Sequence, residues 1–374
     1  MPATVLRPDA AVIDGTLVTQ ASILVEDGWI TAIGEDADRS AAPRERLAGT
    51  LLPGPIDLQV NGAAGHGVEE ATPAALDAIS VAVREGGATA FLPTLITAPM
   101  DELLARTAEV AEWLEGRPAA GAIPLGLHLE GPFLEVSGAH DAARFVDPTP
   151  ERIGALLDAA RGHLALVTLA PARHGSVEAT RRLVAAGVCV AIGHAADVDR
   201  FAACVDAGAR LVTHLYNAMS PAHHRAPGVA GLALDDERLA CSMIVDGVHV
   251  HPAMVRNAWR CLGPERLVLI TDSISATGMP DGTYQLSGVQ VRLERGVVRD
   301  GQGRLAGSAL SMQHTARNFL EMVPTAGPVA LACVTAENPA RLLGDDTRGV
   351  IAEGRRAEFA LLRPTGELDA LPLA

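Results

Sequence analysis

The sequence predicts an α/β protein, a closed (β/α)8 TIM-type barrel with a small β-sandwich domain built from both chain ends. From about residue 51, eight short apolar runs alternate with amphipathic segments. Strands alternating with helices of about 10–15 residues read as repeated βαβ units around a parallel sheet. The two ends lack this rhythm and are rich in hairpin signals. The length, 374 residues, suits one barrel plus an appendage. An open doubly wound sheet is the alternative, and eight strands in series favour closure.

In chain order, residues 1–50 hold the strand-like runs AVIDG and ILVEDGWITAIG, broken by Asp-Gly pairs that favour tight turns. Residues 51–347 are the expected catalytic barrel. Its apolar runs are Ile56–Val60, Ala88–Leu92, Ile123–Leu129, Leu164–Leu169, Val188–Ile192, Leu211–Thr213, Cys241–Val245 and Leu267–Ile270. Thr72-Pro73 opens a helical pattern that ends on Gly86-Gly87, Ser176 opens another, Asp197 precedes a third, and His251-Pro252 opens a fourth. Each pairs a cap or early proline with a closing glycine. A hairpin-like stretch, residues 284–303, lies between the last strand and a helix near 308–323. Residues 348–374 return to the hairpin-rich pattern and complete the small domain begun by residues 1–50.

Composition narrows the function. With 48% apolar and 20% charged residues, the chain can bury a large core and does not read as disordered. A formal charge of −15 argues against nucleic acid or an anionic membrane as partner. It leaves room for an anionic small molecule held by a few local Arg or His residues. The five cysteines are widely spaced with no CxxC pair, which indicates neither a disulfide framework nor a thiolate metal site. The start of the chain has no secretory-signal pattern, and no run reaches the roughly 18 apolar residues a membrane helix needs. The expectation is a soluble, cytoplasmic protein.

In such a barrel, catalytic residues project from the C-terminal ends of the strands. There the sequence places His128-Leu-Glu130 after the third run, Gly193-His194 after the fifth, Thr213-His214-Leu-Tyr-Asn217 after the sixth, Asp246-Gly-Val-His249 after the seventh and Thr271-Asp272 after the eighth. A carboxylate and imidazoles converging on one mouth fit a zinc-like ion with three protein ligands and one open position. Asp272 follows the apolar LVLIT, where an isolated carboxylate is costly unless paired, metal-bound or catalytic. Its expected role is the general base that takes a proton from water and later gives it to a leaving amine.

These residues carry a resemblance. The stretches LLPGPIDLQVNGAAG, LGLHLEGPF, SGAHD, IGHA, THLYNAM, RAPGVAG, VDGVHV, LITDS and LAGSAL run in order over nearly the whole chain. In them the chain resembles the N-acetylglucosamine-6-phosphate deacetylases of the metal-dependent amidohydrolase superfamily. The resemblance implies that Glu130, His194 and His214 bind the metal, that His140 stabilises the oxyanion, and that Asp272 shuttles the proton. It implies that Arg225 and His249 hold the substrate phosphate, in this family often across the interface of a homodimer, with Asn217 and the Ala218 backbone beside it. It implies one divalent ion per subunit, zinc first, with iron, cobalt or manganese as alternatives. The reaction implied is hydrolysis of the acetamide of N-acetylglucosamine 6-phosphate to glucosamine 6-phosphate and acetate.

Two departures sharpen this. Where many amidohydrolases carry His-x-His and bind two metals, this chain has Gln59 and Asn61, amides that are poor ligands. Gln59 then lines a vacated or weak second site, and His128 is expected as a wall residue rather than a ligand. Where the family often has Lys-Gly-x-His, this chain has Ser137-Gly-Ala-His140. The rival readings are the same chemistry on N-acetylgalactosamine 6-phosphate, a cyclic-amide hydrolase, and a non-catalytic scaffold on the same barrel. Arg225, in a Pro-bounded loop after His223 and His224, reads alternatively as a solvated surface charge.

Overall fold

The computed structural model describes residues 3–116 and 120–372. The N-terminal part forms β1 (Thr4–Ile13), β2 (Thr16–Thr19), β3 (Ile23–Glu26), β4 (Trp29–Ile33) and β5 (Arg44–Pro53). The hairpins turn on Asp14-Gly15 and Asp27-Gly28, all four residues with positive φ, as a two-residue turn matched to strand twist requires.

The barrel strands follow as β6 (Ile56–Val60), a two-residue hairpin β7 (Gly62–Ala63) and β8 (His66–Gly67), then β9 (Ala90–Ile96), β10 (Ile123–Pro124), β11 (Leu127–Glu130), β12 (Leu164–Leu169), β13 (Cys189–Ile192), β14 (Leu211–Val212), β15 (Ala240–Met243) and β16 (Leu267–Leu269). Apart from the antiparallel β7–β8 pair, each pairs in parallel with its neighbour, from β6 on β9 round to β16. The run expected at Ala88–Leu92 becomes strand later, and the one at Ile123–Leu129 breaks at Gly126, whose φ of 143° only glycine adopts comfortably. Strands β17 (Gly282–Leu286), β18 (Val289–Glu294) and β19 (Val297–Asp300) make a separate antiparallel sheet beyond the barrel mouth. Finally β20 (Phe359–Leu362) and β21 (Leu368–Ala370) return to β5, completing a seven-stranded sheet of order β21-β20-β5-β1-β3-β4, with β2 on β1. The small β domain is thus assembled from both ends of the chain, and its N-terminal share runs to Pro53.

Two of the four expected helices begin on the side chain expected to cap them. Thr72 caps helix Pro73–Glu85 by accepting from the Ala75 N–H, and His251 caps Pro252–Arg266 by accepting from the Ala253 N–H. Such caps contribute about 1 kcal/mol each. Ser176 is the first helical residue of Ser176–Ala185. The helix expected from Asp197 starts only at Phe201, because Asp197 turns back to accept from the Asp199 N–H at 2.8 Å. Gly263, at φ 64°, breaks the fourth pattern where its closing glycine was expected.

Alternation along the strands builds two apolar layers and one polar one. Leu127, Leu129, Val167, Leu169, Val190 and Ile192 pack outward in the large core shared with the helices. Leu58, Leu92, Leu166, Ala191, Leu211 and Val268 fill the lower barrel. One step further along the same inward rows come Thr94, His128, Thr168, Thr213 and Ser242, all buried. Four of them satisfy one another: His128 Nδ1 lies 3.3 Å from the Thr94 hydroxyl, its Nε2 2.9 Å from Thr168 Oγ1, and Thr168 Oγ1 2.8 Å from Thr213 Oγ1. This belt is the floor of the site. Among the described residues no helix is long and apolar enough to cross a membrane.

Candidate metal centre and its cavity

The strand ends aim the functional side chains. His194, His214 and Asp272 follow β13, β14 and β16 and all have positive φ, at 48°, 33° and 50°. A non-glycine residue in that region costs on the order of 1–3 kcal/mol and persists only where surrounding structure holds it. Ser242 on β15 does so for His214, accepting its backbone N–H at 2.8 Å. Gly138 packs its backbone on the His194 ring, where a Cβ would come within 3.0 Å of Cε1.

Glu130, His194 and His214 form a buried cluster whose ligand-type atoms all lie within 4.8 Å of one another. Glu130 Oε1 stands 3.2 Å from His194 Nε2 and 2.8 Å from His214 Nε2. The tautomer of His194 is fixed: its Nδ1–H donates to the Val136 carbonyl at 2.7 Å, so Nε2 carries the free lone pair. Burial works against charge on Glu130, yet the surrounding His140, His194 and His214 hold its carboxyl well below the ordinary range. Burial likewise opposes charge on His214, and the Glu130 hydrogen bond outweighs it, raising the imidazole. The cluster therefore draws positive charge to its centre, and its donor set, one carboxylate and two imidazoles, fits a single divalent cation.

His140 is wired the opposite way. The Thr97 N–H donates to its Nδ1 at 3.4 Å, and the Thr97 hydroxyl lies 2.9 Å from the same nitrogen. The proton of the neutral ring is then on Nε2, which stands 3.4 Å from Glu130 Oε2 at the cavity wall. Burial, with the neighbouring His194, pushes His140 down to about 4, so the ring is a neutral donor at ordinary pH.

Asp272 enters the same cavity. Gln59 Nε2 and Asn61 Nδ2 donate to its Oδ1 at 3.0 and 2.7 Å. Burial, reinforced by the charge of Glu130, pushes Asp272 up to about 6. In this structure Gln59 and Asn61 brace the carboxylate, and His128 is not among the residues of the cluster able to hold a cation. Burial also drives His128 down to about 4, keeping it neutral within the polar belt.

The remaining expected residues divide. Asn217, Ala218 and His249 line the cavity. The His249 Nδ1–H donates to Asp246 Oδ2 at 2.6 Å, while Asp246 Oδ1 accepts from the His249 and Val248 N–H groups. Asn217 donates through Nδ2 to the carbonyls of His214 and Leu215. Arg225 is exposed on its loop and is not part of this chain's cavity wall. Ile96, Leu286 and Leu305 add apolar wall, with Leu286 brought in by the β17–β18 hairpin. Sequence reasoning missed Thr97, Ser242 and Asp57. Asp57 is fully buried, accepts from the Thr271 hydroxyl at 2.6 Å, and is pushed up to about 7 by burial. Its signal was a second polar residue, beside Gln59, in the apolar strand IDLQV.

Residues 50–371 match the amidohydrolase family. N-acetylgalactosamine-6-phosphate deacetylase of Escherichia coli O157:H7 is 37% identical over 91% of this chain and 93% of its own. N-acetylglucosamine-6-phosphate deacetylase of Bacillus subtilis is 32% identical over 97% and 94%. A solved structure of a mutant N-acetyl-D-glucosamine-6-phosphate deacetylase from Mycobacterium smegmatis, in complex with N-acetyl-D-glucosamine 6-phosphate, superposes with a TM-score of 0.92 at 34% identity, covering 100% of this chain and 98% of that one.

Proposed function

Because this chain belongs to the amidohydrolase family, we propose that it hydrolyses the acetamide of N-acetylglucosamine 6-phosphate, giving glucosamine 6-phosphate and acetate. The observation that carries the reading is the convergence in one cavity of a Glu130-His194-His214 cluster, a carboxylate raised by burial, and a neutral imidazole with its proton on the inward nitrogen.

A divalent ion held by Glu130, His194 and His214 would supply Lewis acidity, lowering the pKa of water and polarising the amide carbonyl. Zinc is our assignment, one ion per subunit. The chain's own residues do the rest. Asp272 takes the proton of the attacking water, and Gln59 and Asn61 keep its Oδ1 in place while it does so. His140 Nε2–H donates to the carbonyl oxygen as negative charge develops there, a neutral donor fixed in advance by Thr97. Asp272 then returns the proton to the nitrogen as the C–N bond breaks, releasing acetate and the amine. The phosphate lies against His249, Asn217 and the Ala218 backbone, with Arg225 completing its site from the second subunit of a homodimer. The protein works in the cytoplasm on a soluble sugar phosphate.

The test is acetate release from N-acetylglucosamine 6-phosphate, its galactosamine epimer and unphosphorylated N-acetylglucosamine, with and without zinc, iron, cobalt and manganese. We expect metal-dependent turnover with the highest kcat/KM on the first. Preference for the epimer, the substrate named for the E. coli relative, would transfer the assignment to it. No acetate from either phosphorylated sugar with any metal would overturn the reading. Arg225→Ala is expected to raise KM about tenfold or more for the phosphorylated sugar and little for the unphosphorylated one, since a phosphate–Arg pair is a strong charge-assisted contact. Equal effects on both would remove Arg225 from the phosphate site.

A further inference from the structure

The first and last barrel strands meet without a regular ladder. β6 and the segment after β16 are joined by an isolated bridge, Val60 to Ser273, and by the Asn61 N–H donating to the Ser273 carbonyl at 2.8 Å. Side chains complete the seam, and Asp57 is the centre of it. Its Oδ2 accepts from the Thr271 hydroxyl at 2.6 Å, and its Oδ1 from the Thr271 N–H at 3.2 Å and the Gln59 N–H at 3.3 Å.

Asp57 is on the far side of the wall from the substrate. It borders a small void with Ala82, Val83 and Thr271, against helix Pro73–Glu85, and is not among the residues lining the catalytic cavity. A wall that needed only to be filled would use an apolar residue there, because a buried carboxylate is costly unless every lone pair is used. The donors that justify it are the hydroxyl and N–H of Thr271, the residue immediately before Asp272.

We propose that Asp57 is a positioning residue, fixing through Thr271 the backbone from which Asp272 reaches the substrate. Thr271 is held at every polar group: its hydroxyl and N–H by Asp57, its carbonyl by the Ser308 hydroxyl at 2.5 Å. Ser308 N–H also donates to the Asp272 carbonyl at 2.8 Å. Asp272 itself has φ 50°, a conformation that relaxes unless its flanks are held. Asp57 therefore fixes the direction of the carboxylate from behind, while Gln59 and Asn61 fix its oxygen from the front.

The inference rests on Asp272 as the proton-shuttling base, and the experiment separates the two. Metal-loaded wild type, Asp57→Asn, Thr271→Val, Thr271→Ser, the Asp57→Asn/Thr271→Val double variant and Asp272→Asn are compared for kcat and KM on N-acetylglucosamine 6-phosphate and for metal content. Asp57→Asn and Thr271→Val should each lower kcat about thirtyfold, a fraction of what general acid–base catalysis supplies. KM should stay within about twofold, the mark of a loss felt only in the transition state. Metal content should be unchanged, and Thr271→Ser, which keeps the hydroxyl, should remain within about threefold of wild type. The double variant should be little worse than either single, because both break one linkage. Asp57→Asn turning over normally beside an inactive Asp272→Asn would overturn the positioning role alone. So would Thr271→Ser as poor as Thr271→Val, a comparison that stands even if Asp57→Asn fails to fold. A fully active Asp272→Asn would instead sink the underlying mechanism.

Discussion

At the scale of single residues, the site works by setting two titratable groups apart. Asp272 is pushed up to about 6 by burial and His140 down to about 4, so near neutral pH one is a base and the other a neutral donor. Asp272→Asn should keep its metal and lose about a thousandfold in kcat, the range general acid–base catalysis supplies. Metal analysis beside steady-state kinetics checks it, and near-normal turnover would refute the role. The pH dependence has a definite sign. Asp272 must be unprotonated to accept the proton of water, so kcat/KM should fall about tenfold per unit as pH drops through its pKa. A bound cation pulls that pKa lower, placing the acidic limb at or below about 6. A limb centred well above 6 would belong to a different group.

At the scale of elements, what the sequence disclosed and what it hid have different physical origins. The Asp-Gly hairpins, the Thr72 and His251 caps and the strand-end placement of Glu130, His194, His214 and Asp272 were legible because each is local: a turn type, an N-cap, a residue following an apolar run. Thr97, Ser242 and Asp57 were not, because each acts on a residue distant in sequence, across a contact that only the tertiary fold makes. Gln59 and Asn61 were noticed for the ligands they replace, whereas their contacts with Asp272 emerge only across the barrel seam. Ser242 illustrates how an element steers a ligand from outside the ligand set. Ser242→Ala removes the acceptor for the His214 N–H, so metal affinity should fall about tenfold, as for other outer partners of metal ligands. Competitive chelator titration measures this, and unchanged affinity would show that β14 alone holds the turn.

At the scale of the whole molecule, the strained strand ends tie stability to the metal. An ion bound only by the folded state adds roughly 3 kcal/mol at a hundredfold excess over Kd. Chelation should therefore lower Tm by several degrees, reversibly on adding zinc, as calorimetry would record, and an unchanged Tm would mean the cluster is held without a cation. The small domain adds a constraint of another kind. β5 is flanked by β1 on one side and by β20, from the other end of the chain, on the other. During synthesis from the N-terminus the ribosome releases β5 with Leu51 and Leu52 long before it releases Phe359–Leu362. Until the barrel between them has been translated, that edge presents unpaired amides and carbonyls beside apolar side chains, a template for another nascent chain. Pairing of β20 with β5 closes that edge and ends the interval of exposure.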